Sequence, residues 1–360
     1  MTSKTNYLFG LDSLRGIAAI SIVLLHFTTY LYPLIGSAIE TYTPFLKRTY
    51  LFVDMFFIIS GIVLTLNYRR TFSRSIKFKD YKKFLTKRLI KIYPLHVFTL
   101  LILVIFFGLA TPIPESSKDF GVIMNPMTLS QNLLLLHSSG IADQGCLNCT
   151  SWNYPSWSIS VEWMNYLILP ILIWLSLRMK MFLLVVNILL VFTIYFFIEV
   201  PHGHLDFASW AGVLRCLCGV CTGISIANYR EKIKIYLSPG MGLILILAFF
   251  HFSPIDTLTL LPIIYLVLSA MKDSDTGWFE NSLFQYLGQR SYSLYMIHGV
   301  VHLLLGYWPQ VRWGYNPLES LSLTESILGL VFSIFLTILL AELTYQSLEL
   351  RLSRYLKSKI

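Results

Sequence analysis

The sequence predicts an all-α, polytopic membrane protein with about ten transmembrane helices and both termini in the cytoplasm. Of its 360 residues, 55% are hydrophobic and only 13% are charged, whereas about 25% of the residues of an average soluble domain are charged. The apolar residues fall into about ten windows, each long enough to cross a hydrocarbon core of roughly 30 Å. We expect one membrane domain over residues 1–360, with no fused soluble domain.

The first five predicted spans are separated by charged or polar segments. Asp12 and Arg15 interrupt the first apolar run, and no small-residue cleavage site follows it, so we interpret this run as an uncleaved span rather than a signal peptide. A basic loop follows the second span, a long polar stretch follows the third, and RMK follows the fourth. These spans are predicted at residues 11–31, 51–68, 92–110, 157–177 and 181–198.

The remaining five spans are delimited in the same way. The sixth ends at NYREKIK, the seventh and eighth form a hairpin around Pro254, and a polar segment precedes the ninth. The tenth leads into the basic tail RLSRYLKSKI. These spans are predicted at residues 209–227, 238–252, 255–271, 291–308 and 323–345.

The net charge of +9 is concentrated in residues 69–91, which contain ten Lys or Arg residues and one acidic residue, Asp80. The positive-inside rule places such a segment in the cytoplasm. The charge therefore indicates a multi-pass protein of the cell inner (plasma) membrane, with the lipid bilayer as its partner and no nucleic acid. Attraction to anionic lipid and binding of a polyanionic ligand both remain open for this segment.

The first span carries ionisable residues that lipid disfavours. Arg15 and His26 are eleven residues apart, so they lie on nearly the same helix face and roughly 16 Å apart along the axis. Asp12, one turn before Arg15, is placed to pair with it. A His near the bilayer midplane is costly unless it faces protein or water. His26 is therefore either a packing residue that hydrogen-bonds between helices or part of a functional site.

Other spans supply further polar groups that could line one passage with His26. Because the unperturbed pKa of His lies close to neutral pH, a neutral His in such a passage is a natural general base. The polar residues in question are Asp54, His96, Glu162, Ser291, Tyr295, His298 and His302, the last four of which share one helix face.

Five segments, in order, resemble motifs of the membrane acyltransferase-3 family. This family transfers acyl groups from cytoplasmic acyl-CoA to extracytoplasmic sugars. The segments are LDSLRGIAAISIVLLH, similar to the Arg-x10-His helix; VDMFFIISG, similar to the second-helix signature; FLTKRLIKIYP, similar to the Arg-x-x-Arg block; WSISVEWMNYLILP; and LGQRSYSLYMIH.

The resemblance implies a catalytic centre and a donor site. His26 would be the catalytic residue, either activating the acceptor hydroxyl or carrying the acyl group, with Arg15 beside it and Asp12 paired to Arg15. Arg88, together with Lys87 and Lys91, would bind the phosphates of acetyl-CoA, since basic side chains match phosphate oxygens well.

The resemblance also implies acceptor contacts. Glu162, which we expect near the outer surface, would be a further catalytic residue that positions sugar hydroxyls. Apart from the resemblance, the aromatic segment SWNYPSW is suited to stack on sugar rings, and Trp157 is its candidate substrate contact. Tyr292, Tyr295 and His298 match the ninth-helix block and would also bind substrate. The acceptor would be a glycan or a lipid-linked sugar, and glycan-assembly membrane proteins are candidate partners.

Two positions depart from the family pattern. The second Arg of Arg-x-x-Arg is Lys91, which keeps the charge but lacks the bidentate fork. The late acidic motif, usually Glu-Pro, is LELRL here, which leaves a role for Glu349 open. Some relatives carry a fused hydrolase-like domain; this chain is expected to act without one, alone or with a separate partner.

The predicted function is that of an O-acyltransferase, most simply an O-acetyltransferase, that uses acetyl-CoA and no metal. Cys146 and Cys149 form a Cys-x-x-Cys pair that could be a disulfide, half of a metal site or two free thiols. Two other classes compete with the enzyme: a proton-coupled membrane carrier, which would also use intramembrane charges, and a non-catalytic assembly partner or sensor.

Overall fold

The fold is entirely helical in the part of the chain that the structure describes. The computed structural model describes residues 9–108, 125–140, 151–179, 181–233, 238–272, 279 and 281–359. Helices and short turns make up these residues, and no strand occurs among them, so the all-α prediction is confirmed. Cys146 and Cys149 lie outside the described residues.

Each predicted span coincides with a helix over its described residues, and the ten principal helices are numbered α1 to α10. Their bounds are Phe9–His26 (α1), Phe52–Phe72 (α2), Phe78–Gly108 (α3), Trp157–Arg178 (α4), Phe182–Ile194 (α5), Trp210–Tyr229 (α6), Pro239–Phe252 (α7), Leu260–Lys272 (α8), Ser291–His302 (α9) and Leu323–Thr344 (α10). Shorter helices connect them at Pro33–Glu40, Leu46–Leu51, Pro126–Leu133, Tyr154–Ser156 and Ser282–Gln289.

The helices include several membrane-spanning candidates. Among the described residues, seven helical segments are long and apolar enough to cross a membrane, and two shorter apolar helices, Pro239–Phe252 and Thr257–Met271, accompany them. The protein is therefore a multi-pass membrane protein by length and composition. The count of ten spans and the cytoplasmic position of both termini stay predictions.

The basic segment between the second and third spans is largely helical, whereas the sequence suggested a loop. Helix α2 continues to Phe72, and α3 already begins at Phe78 and runs for 31 residues. Lys and Arg are good helix formers, and neither Gly nor Pro occurs between residues 78 and 91. As a result, Arg88 and Lys91 project from a helix that packs in the bundle, not from a loop.

Helix α9 lies at the centre of the bundle. Every one of its residues is buried, and it packs against α1, α3 and α10. The chain then continues as a π-helical turn, Leu303–Tyr307, in contact with the similar turn Phe27–Leu31 that follows α1. Such π turns change the direction of the side chains that flank them and are frequent at functional sites. His26 and His302 each directly precede one.

Helices α2 and α6 cross at glycines. A Cβ atom on Gly61 would lie 2.5 Å from the carbonyl oxygen of Val220, and one on Gly223 would lie 2.2 Å from that of Ile58. Only glycine allows two backbones to approach this closely, which is how small residues permit helix association in membranes. This contact fixes α2 against α6.

A buried ion pair reinforces the same contact. Arg215 on α6 donates to both carboxylate oxygens of Asp54 on α2, at 3.2 and 2.7 Å, and also to the carbonyl oxygen of Leu205 at 2.6 Å. Both charged side chains are almost completely buried. A buried charge is costly without a partner of opposite sign, and each residue of this pair supplies that partner to the other. The connection before α6 is thereby held over the start of α2.

Candidate active site

A central cavity of about 160 Å³ lies between α1, α2, α3, α4 and α9. Its polar lining residues come from five separate parts of the chain, and three of them are cations. They are Arg15, Ser60, Arg88, Lys91, Ser158, Glu162, Tyr166, Ser291, Tyr292 and Tyr295. Four of the residues predicted to be catalytic or to bind the donor therefore meet at one cavity: Arg15, Arg88, Lys91 and Glu162.

Arg88 is the cation of this cavity whose charge is least compensated. Its Nε atom is buried and has no hydrogen-bond partner among the described residues, and its guanidinium lies 5.7 Å from the ring centre of Tyr68. By contrast, Arg15 pairs with Asp12 at 3.8 Å. An unpartnered buried N–H group of a cation is a strong site for an anionic ligand.

Lys91 is held by Glu349, the residue whose role the sequence left open. The carboxylate of Glu349 is buried, forms an ion pair with Lys91 and accepts a hydrogen bond of 2.6 Å from Ser293. Glu349 thus anchors Lys91 at the cavity and connects α3 to α9. Lys87 does not line the cavity, although Lys357 lies within electrostatic range of Lys87, Arg88 and Lys91 together.

Glu162 faces the central cavity and not the neighbourhood of His26. It accepts a hydrogen bond of 2.6 Å from Ser60 on α2, and both residues share the cavity with Arg88. The sequence placed Glu162 nearer the outer surface, with the acceptor. In the structure it belongs instead with the residues expected to contact the donor.

His26 lies in a cluster of buried rings. Its Nδ1 atom is 3.1 Å from Nε2 of His298, at hydrogen-bond distance, and the two rings are stacked with centroids 5.1 Å apart. Tyr154 packs edge-on against His26 at 4.8 Å, and Tyr295 lies 5.6 Å from His298. We call His26, Tyr154, Tyr295 and His298 the ring layer.

A second cavity, the His26 pocket, lies on the other side of the ring layer. It measures about 290 Å³. His26 is the member of the ring layer that lines this pocket, whereas Tyr295 lines the central cavity. The other polar or aromatic lining residues are Thr29, Tyr30, Lys47, Arg48, Tyr50, His204 and Asp206. The ring layer therefore separates a cationic cavity from a mixed polar and aromatic pocket.

Three predicted site residues lie in positions that differ from those expected for their suggested roles. Arg15 lines the central cavity and does not lie beside His26, because three helical turns separate them. Trp157 packs between the ring of Phe57 and the guanidinium of Arg215, in neither cavity. Tyr292 lines the cavity, but its hydroxyl donates to the carbonyl oxygen of Ile92 at 2.5 Å.

Two residues of the site were not singled out from the sequence. Ser60 lies within the segment VDMFFIISG, and Tyr154 lies within SWNYPSW. Both segments were recognised in the sequence as relevant to function, but these two residues within them were not identified.

Among the described residues, no group of three His, Cys, Asp or Glu side chains could hold a metal ion.

The family model described as the acyltransferase domain, type 3, matches residues 8–344. The match covers nearly the whole chain, so the chain belongs to the membrane acyltransferase-3 family. The resemblance that the five sequence segments indicated is thereby confirmed.

Individual relatives agree with this family. A Staphylococcus aureus (strain COL) protein named "Putative O-acetyltransferase" is 24% identical over 394 residues, which cover 96% of this chain and 57% of the relative. "Acyltransferase MdmB" of Streptomyces mycarofaciens is 36% identical over 122 residues, which cover 33% of this chain and 27% of the relative. The chain thus spans little more than half the length of the Staphylococcus relative. No solved structure matches the chain significantly.

Proposed function

We propose that the protein is an O-acyltransferase, most simply an O-acetyltransferase, that moves an acyl group from acyl-CoA to a hydroxyl group of a glycan or lipid-linked sugar. The observation that carries this proposal is the position of His26, in a ring layer between a cationic cavity and a second pocket. Such an arrangement lets a donor and an acceptor approach the same imidazole from opposite sides. The names of the relatives support acetyl transfer to oxygen.

The donor would enter from the basic end of the bundle, which the positive-inside rule assigns to the cytoplasmic side of the plasma membrane. Pockets that enclose a drug-sized ligand measure about 300–1,000 Å³, so a cavity of about 160 Å³ accommodates only part of acetyl-CoA. The phosphates would stay at the mouth, held by Arg88 and assisted by Lys87 and Lys91. The acyl end would reach His26 past Tyr295.

His26 would act as the general base through Nε2. Its Nδ1 lies 3.1 Å from Nε2 of His298, so Nε2 is the ring nitrogen that we assign to the acceptor hydroxyl. When His26 donates from Nδ1 to Nε2 of His298, Nε2 carries a free lone pair. Protonation of His26 preserves this hydrogen bond, so His298 would orient the ring both before and after proton transfer.

The reaction balances with these groups alone. Nε2 of His26 takes the proton of the acceptor hydroxyl while the hydroxyl oxygen bonds to the thioester carbonyl carbon. The carbon–sulfur bond then breaks, and the imidazolium returns the proton to the thiolate. The products are an O-acyl ester and CoA. An acyl-histidine intermediate at Nε2 is the alternative chemistry, and trapping of labelled acyl-enzyme by acid quench would favour it.

The acceptor would occupy the His26 pocket. Its exposed Tyr30 ring and its polar side chains suit a sugar, which presents both a flat apolar face and hydroxyl groups. Glycan-assembly membrane proteins would deliver such an acceptor.

Calorimetric titration of acetyl-CoA into nanodisc-embedded protein tests the donor site. We expect the wild type and His26→Ala to bind equally, and Arg88→Ala to bind about 10- to 100-fold more weakly, because one charge-assisted contact contributes about 1.5–3 kcal/mol. His26→Ala should abolish transfer while retaining binding. Absence of binding in folded wild type would contradict the proposal and favour the proton-coupled carrier.

A further inference from the structure

The hydroxyl group of Tyr154 is buried and has no hydrogen-bond partner among the described residues. Buried polar atoms of native proteins are nearly always paired, because an unpaired one loses its hydration without compensation. Nothing in the acyl-transfer scheme above uses this hydroxyl group. Its surroundings indicate what it can do.

Tyr154 lies among residues that line the two cavities. It is within electrostatic range of the hydroxyl groups of Tyr295, which lines the central cavity, and of Tyr30, which lines the His26 pocket. Its ring packs edge-on against His26 at 4.8 Å and against His298 at 5.6 Å. The phenol therefore lies next to the imidazole at which the proposed reaction takes place.

The backbone holds Tyr154 firmly in this place. The side-chain amide of Asn153 donates to the carbonyl oxygen of Met296 at 3.0 Å. A Cβ atom on Gly299 would lie only 2.2 Å from Oδ1 of Asn153 and 2.6 Å from Cδ of Pro155. The turn before α4 is thus pressed against α9, next to His298. This is the rigid positioning that a preorganised hydrogen-bond donor requires.

We propose that Tyr154 is a catalytic residue whose hydroxyl group donates a hydrogen bond to the carbonyl oxygen of the acyl thioester. The inference rests on the proposed acyl transfer. When the acceptor oxygen bonds to the carbonyl carbon, the carbonyl π electron pair moves to the oxygen, and the phenol O–H stabilises the resulting negative charge. The phenol keeps its proton throughout, while His26 carries the proton that is exchanged between the acceptor and the thiolate.

Two other candidate donors near the ring layer are already engaged. The hydroxyl of Tyr292 donates to the carbonyl oxygen of Ile92. Arg15 pairs with Asp12, three helical turns before His26. Within the ring layer, Tyr154 is the phenol whose hydroxyl is both buried and without a hydrogen-bond partner among the described residues, whereas Tyr295 faces the central cavity.

The test compares Tyr154→Phe with Tyr32→Phe. Each variant loses one buried hydroxyl and keeps the ring, but the hydroxyl of Tyr32 is hydrogen-bonded to Ser333 at 2.8 Å, away from both cavities. Turnover is measured in proteoliposomes as release of the CoA thiol from acetyl-CoA, with methyl glucoside as the probe acceptor. Thermal unfolding of each variant is measured in parallel.

We expect opposite results for the two variants. Tyr154→Phe should lower kcat about 100- to 1,000-fold, as loss of an oxyanion-hole donor does, with a much smaller rise in the KM for acetyl-CoA and with the Tm unchanged or raised. Tyr32→Phe should lower the Tm and keep kcat. A Tyr154→Phe enzyme with kcat within threefold of wild type, or with a lowered Tm that accounts for the loss, would overturn the proposal.

A spectroscopic measurement tests the role of Tyr154 separately from the proposed acyl-transfer function. In isotope-edited infrared spectra of bound [1-¹³C]acetyl-CoA, a hydrogen bond to the thioester carbonyl lowers its stretching frequency. We expect the lowered frequency in wild type and in Tyr32→Phe, and a return toward the free value in Tyr154→Phe. An identical band in all three proteins would overturn the role of Tyr154 even if acyl transfer is established. Wild type that binds no acetyl-CoA would overturn both proposals.

Discussion

The cations of the central cavity differ in how far nearby carboxylates compensate their charge. Arg15 pairs with Asp12, and Lys91 pairs with the buried Glu349. No carboxylate of the described residues pairs with Arg88. Arg88 is therefore the residue whose charge remains available to an anionic donor, and the Lys in place of the second family Arg serves an internal contact with Glu349.

This difference predicts distinct effects of two matched substitutions. Arg88→Met should weaken acetyl-CoA binding about 10- to 100-fold and leave the Tm unchanged, because it strands no partner. Lys91→Met should weaken binding less than about fivefold but should destabilise the fold by about 1–3 kcal/mol, a buried-pair value reduced for the partial exposure of Lys91. Calorimetry and thermal unfolding of both variants measure this.

A double variant tests whether the destabilisation by Lys91→Met comes from the unpaired charge of Glu349. Lys91→Met with Glu349→Gln removes both charges of the pair, so most of the lost Tm should return. Equal loss of binding in the two single variants, with no change in Tm, would contradict the assignment of Lys91 to Glu349.

At the scale of the helix, the segment VDMFFIISG of α2 combines three contacts. Asp54 pairs with Arg215 on α6, Ser60 donates to Glu162 on α4, and Gly61 allows α6 to approach. A helix with this segment is fixed on two sides by α4 and α6, while its face between them lines the central cavity. The segment that resembles the family signature thus forms one wall of the central cavity.

The crossing of α2 and α6 predicts a stability effect at Gly223. Gly223→Ala would place a Cβ atom 2.2 Å from the carbonyl oxygen of Ile58 and 2.8 Å from the amide nitrogen of Ile62. Both are backbone atoms, so the helices must separate, at a cost of about 1–3 kcal/mol. The control is Gly240→Ala, whose Cβ would have Ser238 Oγ as its nearest neighbour at 3.7 Å.

We expect a lowered Tm in detergent for Gly223→Ala and an unchanged or slightly raised Tm for Gly240→Ala, since Ala favours a helix over Gly. Similar Tm values for the two variants would mean that α2 and α6 can separate without cost, contrary to the packing described above.

The helices themselves could be predicted well from the sequence, and their ends less well. Hydropathy identified ten helical segments because an apolar window of membrane length has few other structures available. The helical character of residues 78–91 was missed, because charge was taken as a sign of a loop although Lys and Arg favour helices. The start of α3 at Phe78 is therefore a correction that composition alone could have supplied.

At the scale of the molecule, the sequence predicted which residues meet better than it predicted where they meet. Helix periodicity put His298 on a polar face that was expected to line one passage with His26, and the Arg-x-x-Arg block led to Arg88. The division into two cavities depends on the turn at Asn153 and Tyr154 that packs on Gly299, a long-range contact that no local pattern records. For the same reason, Glu162 was assigned to the acceptor from its motif alone, and Trp157 from the aromatic segment SWNYPSW alone.

The ring layer limits what can cross the membrane during the proposed reaction. The charged part of acetyl-CoA stays at the basic mouth, an acyl group moves outward past Tyr295, and the acceptor proton moves inward to the thiolate through His26. If the acyl group is counted as an acylium ion, one positive charge moves outward with the acyl group and one positive charge moves inward with the proton. The exchange therefore moves no net charge, and the cost of about 2.3 kcal/mol per elementary charge per 100 mV does not arise.

Proteoliposomes with a potassium gradient and valinomycin test this at the scale of the whole molecule. We expect CoA release from acetyl-CoA supplied at the basic side to proceed at the same rate with no potential and at about −100 mV, where one transferred charge would contribute about 2.3 kcal/mol. His26→Ala provides the zero-rate control. A rate that depends on voltage would show that the proton leaves toward the acceptor side.

For a cell, the proposed reaction would make surface modification independent of respiration. Ion-driven export stops when the gradient collapses, but the proposed exchange of an acyl group for a proton would draw only on the thioester bond. A starved or depolarised cell would thus continue to modify its surface as long as acetyl-CoA remained, and the carbon supply would set the degree of acylation.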